Sequence, residues 1–334
     1  MAAEAGPPTL GTAGLQPIRQ ALLGAGLWLD VGLVRMRVRG DAPLLAEHLQ
    51  SVYRHFALQT QGDWADLHFE LRRPRHLRRW IAPQVRFVCD GQAPFEPFPA
   101  AAALPLMEWG ANWLIGRRCN HLLLLHAGVV ERQGRALVMP AVPGSGKSTL
   151  TAALSLSGWR LLSDEFGAYD LEAGAFRPAL KPIGLKNQSI DVIRAFAAAV
   201  PAASAASAAP GVPEVPEVPL GPSFPNTRKG TVAHLAPDAL AVRRVHETAL
   251  PGAVLLPRWQ AGSPTELVRV QPQLAFSALA FNAFNYQVLG AQGFEAVVAL
   301  CTQCPVWQLV YSDLGDALAK IDALWPEVLQ GGAP

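Results

Sequence analysis

Residues Ala141-Val142-Pro143-Gly144-Ser145-Gly146-Lys147-Ser148-Thr149 have the spacing Gly/Ala-x4-Gly-Lys-Ser/Thr of a phosphate-binding loop. The chemistry follows from the residue types. From Ala141 through Pro143, Gly144, Ser145 and Gly146, small residues allow successive backbone N–H groups to point into one concavity, which suits a phosphate chain. Lys147 adds a point charge for the terminal phosphates, and the Ser148 hydroxyl offers a ligand to Mg²⁺. Arg135 to Met139 reads as a buried strand before the loop, and Ser148 to Leu156 as a helix after it, closed by Gly158. The expected ligands are ATP and Mg²⁺.

A second constellation lies seventeen positions beyond Lys147, where Asp164 and Glu165 end the apolar strand that starts at Trp159. A carboxylate there can hold Mg²⁺, directly or through water, or take a proton from an attacking hydroxyl. His126, in the apolar run from Leu122 to Val130, has two readings. It is a hydrogen-bonded core histidine, or it pairs with Asp164, with small Ala127 and Gly128 leaving room beside it. Two basic segments are candidates for closing over phosphates: Lys181, Lys186 and Asn187 around a Pro/Gly turn, and Arg228-Lys229-Gly230. Solvated loops are the alternative for both. His234 reads as part of a structural strand, and Arg258 has no decisive spacing.

These residues need elements to position them. Leu27 to Arg39 alternates as a strand or hairpin, Pro43 to Phe56 has helical spacing, and 66–71 and 84–89 resemble strands. With a frayed Gly/Pro/Ala-rich segment over 1–20, this predicts a small α+β module over 21–99. A helix over 103–118 leads into the main domain, 100–330. There, Leu122 to Glu131 and Ala136 to Met139 form an antiparallel hairpin turning at Arg132-Gln133-Gly134, unlike the parallel crossover of ordinary mononucleotide kinases. A second hairpin turns at Glu172-Ala173-Gly174, and Ser189 is placed to cap a helix towards Ala199. The Ala/Pro-rich stretch at about 200–225 predicts a mobile insertion. Helices over 274–288 and 294–302, a strand over 306–311 and a helix over 314–324 complete the chain.

The chain has 334 residues, half of them hydrophobic and 16% charged, with a formal charge of +2. That composition is globular and excludes a nucleic-acid partner of the strongly basic kind. No apolar run predicts a membrane span, and the N-terminus lacks a signal-peptide pattern. Four cysteines make no disulfide framework, so the expected compartment is the cytoplasm. Cys301 and Cys304 have half-site zinc spacing without a second pair and read as packing residues. The basic run Arg72 to Arg79 reads as a solvated face, with an acidic protein partner as the alternative. Association into a homo-oligomer is left open.

His126, the hairpin, the loop, the helix closed by Gly158 and Leu161 to Glu165 together resemble the catalytic core of bacterial HPr kinase/phosphorylase. The pattern is most similar to the HprK-related kinase A group, through Leu123 to Gly128, Pro143 to Thr149, Leu162 to Glu165, Pro182 to Asn187 and Thr227 to His234. The resemblance spans roughly residues 100–325. It implies a mixed α/β (α+β) domain with the mixed sheet of the phosphoenolpyruvate carboxykinase-like P-loop fold. It also implies Asp164 as general base, Glu165 as support for metal or substrate, and His126 beside the base. Glu165 stands where true HPr kinases have Asp, and their Glu-Ile-Arg-Gly segment is absent, so specificity for HPr and the reverse reaction do not carry over. The expected function is ATP- and Mg²⁺-dependent phosphorylation of a hydroxyl, a serine of a protein or peptide partner. The alternatives are a nucleotide-dependent switch or assembly module, and a kinase of a small serine-like metabolite.

Overall fold

A computed structural model of the protein describes residues 7–75, 80–199 and 219–331. The expected insertion at 200–225 falls mostly outside these residues, as does the end of the basic run. Helix α1 (Leu15–Leu23) precedes β1 (Leu27–Asp30) and β2 (Arg35–Gly40), then α2 (Leu45–Val52), β3 (Leu67–Arg72), β4 (Gln84–Val88) and the short β5 (Phe98–Pro99). These strands form one sheet in sequential order, parallel only where α2 makes a crossover between β2 and β3. Helix α1 corrects the expectation of fraying over 1–20. Ile18, Ala21 and Leu22 lie on one helical face and are buried, which the Gly/Pro-rich sequence before them obscured. Helix α3 (Ala103–Arg118) packs on β3 and β4.

Next come β6 (Leu123–Arg132), β7 (Arg135–Pro140), α4 (Lys147–Leu156), β8 (Arg160–Ser163), β9 (Phe166–Asp170) and β10 (Ala175–Arg177). As the sequence predicts, β6 and β7 are an antiparallel hairpin. Gln133 and Gly134 both have positive φ (56° and 78°), as a two-residue turn matched to strand twist requires. β9 and β10 form the second predicted hairpin. The chain continues through β11 (Ile183–Lys186), α5 (Gln188–Ala199), β12 (Phe224–Thr227), β13 (Gly230–Leu235), α6 (Ala239–Arg243), β14 (Leu250–Trp259) and β15 (Glu266–Arg269). Helices α7 (Pro272–Phe281), α8 (Tyr286–Leu289) and α9 (Ala291–Gln303), strand β16 (Val306–Tyr311) and helix α10 (Leu314–Gly331) end it.

The main sheet is mixed, with the order β10-β9-β6-β7-β14-β16-β15 and β8 also paired to β6. β7, β14 and β16 run parallel at its centre. β14 escapes sequence reading because Pro251 is its second residue, and a bulge between Pro251 and Ala253 accommodates the missing donor. β11, β13 and β12 form a third, antiparallel sheet. Two helical expectations need correction. α5 begins at Gln188, so Ser189 is not its N-cap; the Ser189 hydroxyl instead bonds the backbone N–H and C=O of Lys186, 2.7 Å each. The expected helix 274–288 breaks at Asn282–Asn285, where the chain turns to bond β6. Among the described residues no helix is long and apolar enough to cross a membrane.

One apolar cluster runs from Ile18 and Leu49 through Leu104 and Leu114 to Leu150 and Leu185, so the first sheet and the main sheet share a core. A buried polar junction fixes their register. Glu108 on α3 accepts from the Tyr53 hydroxyl at 2.6 Å and from Lys181 Nζ at 3.0 Å. Lys181, a candidate for phosphate closure from its sequence position, is thus spent on this junction.

Nearby, His234 on β13 is 4% exposed, and its Nδ1 has no hydrogen-bond partner. Burial lowers its pKa from 6.5 to about 4. Between those values the unfolded chain binds a proton that the native state does not, so this stability is complete above pH 6.5 and is lost as pH falls towards 4. The expected loss is about 3 kcal/mol. Urea unfolding at neutral and mildly acidic pH should show it, and His234→Leu should flatten the difference.

Candidate active site

The loop 141–146 leaves the C-terminal end of β7, and the next two strands of the sheet, β14 and β16, both parallel to β7, hold it. Trp259, the last residue of β14, donates its backbone N–H to the Ser145 carbonyl at 2.9 Å. Tyr311, the last residue of β16, donates its hydroxyl to the Gly146 carbonyl at 3.1 Å. The loop therefore sits at the carboxyl ends of three parallel strands, where α/β sheets place ligands. Gly144 and Gly146 have φ of 89° and 88°. At Gly146 a Cβ would lie 2.4 Å from the Tyr311 hydroxyl, so glycine is required there by space as well as by conformation. α4 starts at Lys147 without a side-chain cap. The first-turn N–H groups of Lys147, Ser148 and Thr149 thus have no intrahelical acceptor and form, with the helix dipole, a place for anionic oxygen. Ser145 Oγ is enclosed and makes no hydrogen bond.

β8 and β9 pair with the same edge of β6, and Asp164-Glu165 is the interruption between them. Val129 pairs with Ser163 and His126 with Phe166, so the two carboxylate residues lie opposite Ala127 and Gly128. The Ser163 hydroxyl accepts from the N–H of Glu165 (3.3 Å) and of Phe166 (3.0 Å), which stabilises the break. A Cβ on Gly128 would come within 2.3 Å of Thr151 Oγ1, so its absence lets α4 pack tightly on β6. Thr151 in turn donates to the Lys147 carbonyl at 2.9 Å.

This packing brings the loop lysine onto the acidic pair. Lys147 Nζ is 2.9 Å from Asp164 Oδ1 and also donates to the Asp164 carbonyl. Both side chains are 8% exposed, so the ion pair is desolvated. Ser148 Oγ is 3.5 Å from the same ammonium. His126 approaches Glu165, at 3.9 Å between Nε2 and Oε1, and not Asp164. The expected His126–Asp164 pairing is corrected accordingly: Asp164 is already taken by Lys147. Burial lowers the His126 pKa and Lys147 adds to this, against the pull of Glu165 and Asp164, so the imidazole is neutral at pH 7.

The His126 backbone N–H bonds the Asn282 carbonyl at 2.6 Å. Asn285, 2% exposed, bonds the Leu124 N–H at 3.0 Å and the Leu122 carbonyl at 2.7 Å. The break between α7 and α8 thus covers the part of β6 that β7 leaves unpaired. It also sets Phe284 against the rings of His126 (5.6 Å) and Phe166 (4.9 Å).

The two basic segments share the three-stranded sheet. Asn187, with φ of 50°, donates its N–H to the Thr231 carbonyl (2.9 Å) and accepts the Thr231 N–H on Oδ1 (3.0 Å). That brings the 227–230 turn beside Lys186. Desolvation and the nearby Lys229 lower the Lys186 pKa, while Glu165 and Asp164 oppose the shift. Lys186 and Lys229 therefore belong to the same electrostatic cluster as the acidic pair. Arg228 lies in the same turn, between β12 and β13. Arg258 is exposed at the end of β14, next to Trp259.

Cys301 and Cys304 are buried free thiols whose pKa values burial raises to about 11 and about 12, as packing residues require. Trp259 and Tyr311 have no local motif in the sequence, and strand pairings over long separations bring them to the site. Thr151 reaches it one turn along α4 from Lys147, and Asn285 through its side-chain bonds from the break between α7 and α8. No protein-family model matches the chain, and no curated protein matches it.

Proposed function

We propose that this chain is an ATP- and Mg²⁺-dependent phosphotransferase with a phosphoenolpyruvate carboxykinase-like P-loop domain, acting on a hydroxyl of a protein or peptide. The observation that carries this reading is the buried contact between Lys147 and Asp164 beneath the loop, with Glu165, His126 and Lys186 around it. A glycine turn, uncapped helix amides and the enclosed, unpartnered Ser145 hydroxyl fit a phosphate chain. Among the described residues no three His, Cys, Asp or Glu side chains form a cluster able to hold a metal ion. Mg²⁺ bound by one or two protein oxygens together with substrate phosphates needs no such cluster. Ser148, with Asp164 or Glu165, would supply those oxygens, and the ion would neutralise charge on the phosphates.

Lys147 exchanges Asp164 for the terminal phosphates, and the carboxylate it releases accepts the proton of the attacking hydroxyl. Lys186 and Lys229 offset charge that develops during transfer. Neutral His126 shares the acceptor side with Glu165. Half-exposed Phe284 borders that side, and Phe281, Val288 and Phe294 expose further apolar surface on α7 to α9. An apolar border favours a protein or peptide acceptor over a small polar metabolite.

Incubation of the purified chain with γ-labelled ATP, Mg²⁺ and fractionated cell protein, synthetic serine peptides or free serine tests this reading. The expected result is label on a protein or peptide hydroxyl. Saturable ATP binding without transfer to any acceptor would favour the nucleotide-switch alternative, and label on free serine alone the metabolite kinase.

A further inference from the structure

Where the first sheet meets the main sheet there is a hollow of about 530 Å³, within the range of small-molecule sites. It contains no residue of the 141–149 loop or of the acidic pair. Its basic lining comes from separate parts of the chain: Arg35 on β2, Arg118 at the end of α3, His121 before β6, Arg177 on β10 and His246 after α6.

The guanidinium groups are incompletely used. Arg35 is 3.6 Å from Asp30 and Arg177 is 3.7 Å from Asp170, both too long for hydrogen bonds. Arg35 Nε is enclosed and has no partner. Arg118 donates to the Asp66 carbonyl at 3.1 Å and to Asp90, leaving further N–H groups open. The Arg35 guanidinium lies 4.7 Å over the Trp64 ring, which holds the fork flat.

The two lining acids, Asp30 and Asp66, also have partners besides the arginine forks. Asp66 accepts the Arg35 backbone N–H at 2.7 Å, while Asp30 accepts the Gly32 N–H at 3.0 Å and faces His246 at 3.3 Å. Open guanidinium forks beside acids with other partners match the geometry of a carboxylate or phosphate.

We propose that this hollow binds a small metabolite through a carboxylate or phosphate group held by Arg35, Arg118 and Arg177. The site is separate from the phosphotransfer site and does not depend on that reading. Because its arginines come from the first sheet, the linking helix and the main sheet, a bound anion bridges the sheets.

Calorimetric titration of the full chain with inorganic phosphate and with succinate tests the proposal. Saturable binding of at least one probe is expected, weakened about tenfold or more in both Arg35→Gln and Arg177→Gln, on the scale of a lost charge-assisted contact. Lys147→Ala should leave succinate binding unchanged and remove only phosphate uptake by the 141–149 loop. Phosphate binding alone would identify a phosphate ester as the ligand class, and succinate binding alone a carboxylate. Absence of saturable binding by either probe, or succinate binding that survives both arginine substitutions, or phosphate binding that survives them in the Lys147→Ala background, would overturn the site. If Lys147→Ala is insoluble, succinate binding in the two arginine variants decides the matter, since a dicarboxylate does not report on the loop.

Discussion

Asp164→Asn should stop phosphoryl transfer while the protein still binds nucleotide. The amide keeps the shape of the carboxylate and can still accept from Lys147 Nζ, now 2.9 Å from Oδ1. It cannot take a proton from an incoming hydroxyl. Loss of a positioned general base lowers turnover by about 10²–10⁴-fold. The affinity for ADP should be unchanged or higher, because Lys147 leaves a neutral amide more easily than a carboxylate. Single-turnover transfer and an ADP titration on the same preparation separate the two effects. Full turnover in the variant would remove Asp164 from the chemistry and leave Glu165, 3.9 Å from His126, as the candidate base.

Lys147→Ala should have the opposite profile, losing the nucleotide itself. In the wild type, ligand at a hundred times its Kd adds about 2.7 kcal/mol to unfolding stability, and in the variant this gain should vanish. A second consequence appears without ligand. Lys147 and Asp164 are each 8% exposed, so deleting the ammonium strands a buried carboxylate, at a cost of about 3–5 kcal/mol. The double variant Lys147→Ala/Asp164→Asn should recover much of that stability and none of the nucleotide response. This non-additivity is the signature of direct coupling. Equal, additive losses measured by chemical denaturation would show that the pair contributes little in the free protein.

The parts of the site legible in the sequence were those encoded by short spacings. Gly144 to Thr149, the β6–β7 hairpin and the break at Asp164-Glu165 each depend on neighbours within about forty residues, and they come together as expected. From the sequence His126 reads either as a core histidine or as a partner of Asp164; in the structure it faces Glu165, because Lys147 already holds Asp164, which local spacing does not show. Lys181 and Lys186 looked equivalent on either side of a turn. Lys181, which precedes β11, reaches the buried Glu108, whereas Lys186, the last residue of β11, lies near the acidic pair. Trp259 and Tyr311 support the loop through strand pairings more than a hundred residues away in sequence, which local periodicity cannot report. Helix α1 was hidden by the Gly/Pro-rich residues before it, and β14 by Pro251.

The most direct test is a calorimetric titration of Mg-ADP into the wild-type chain at neutral pH, with Lys147→Ala as control. One saturable site in the wild type and none in the variant is the predicted result. A folded wild-type protein that takes up no Mg-ADP, or a Lys147→Ala protein that binds it equally well, would contradict a phosphate site built on residues 141–149.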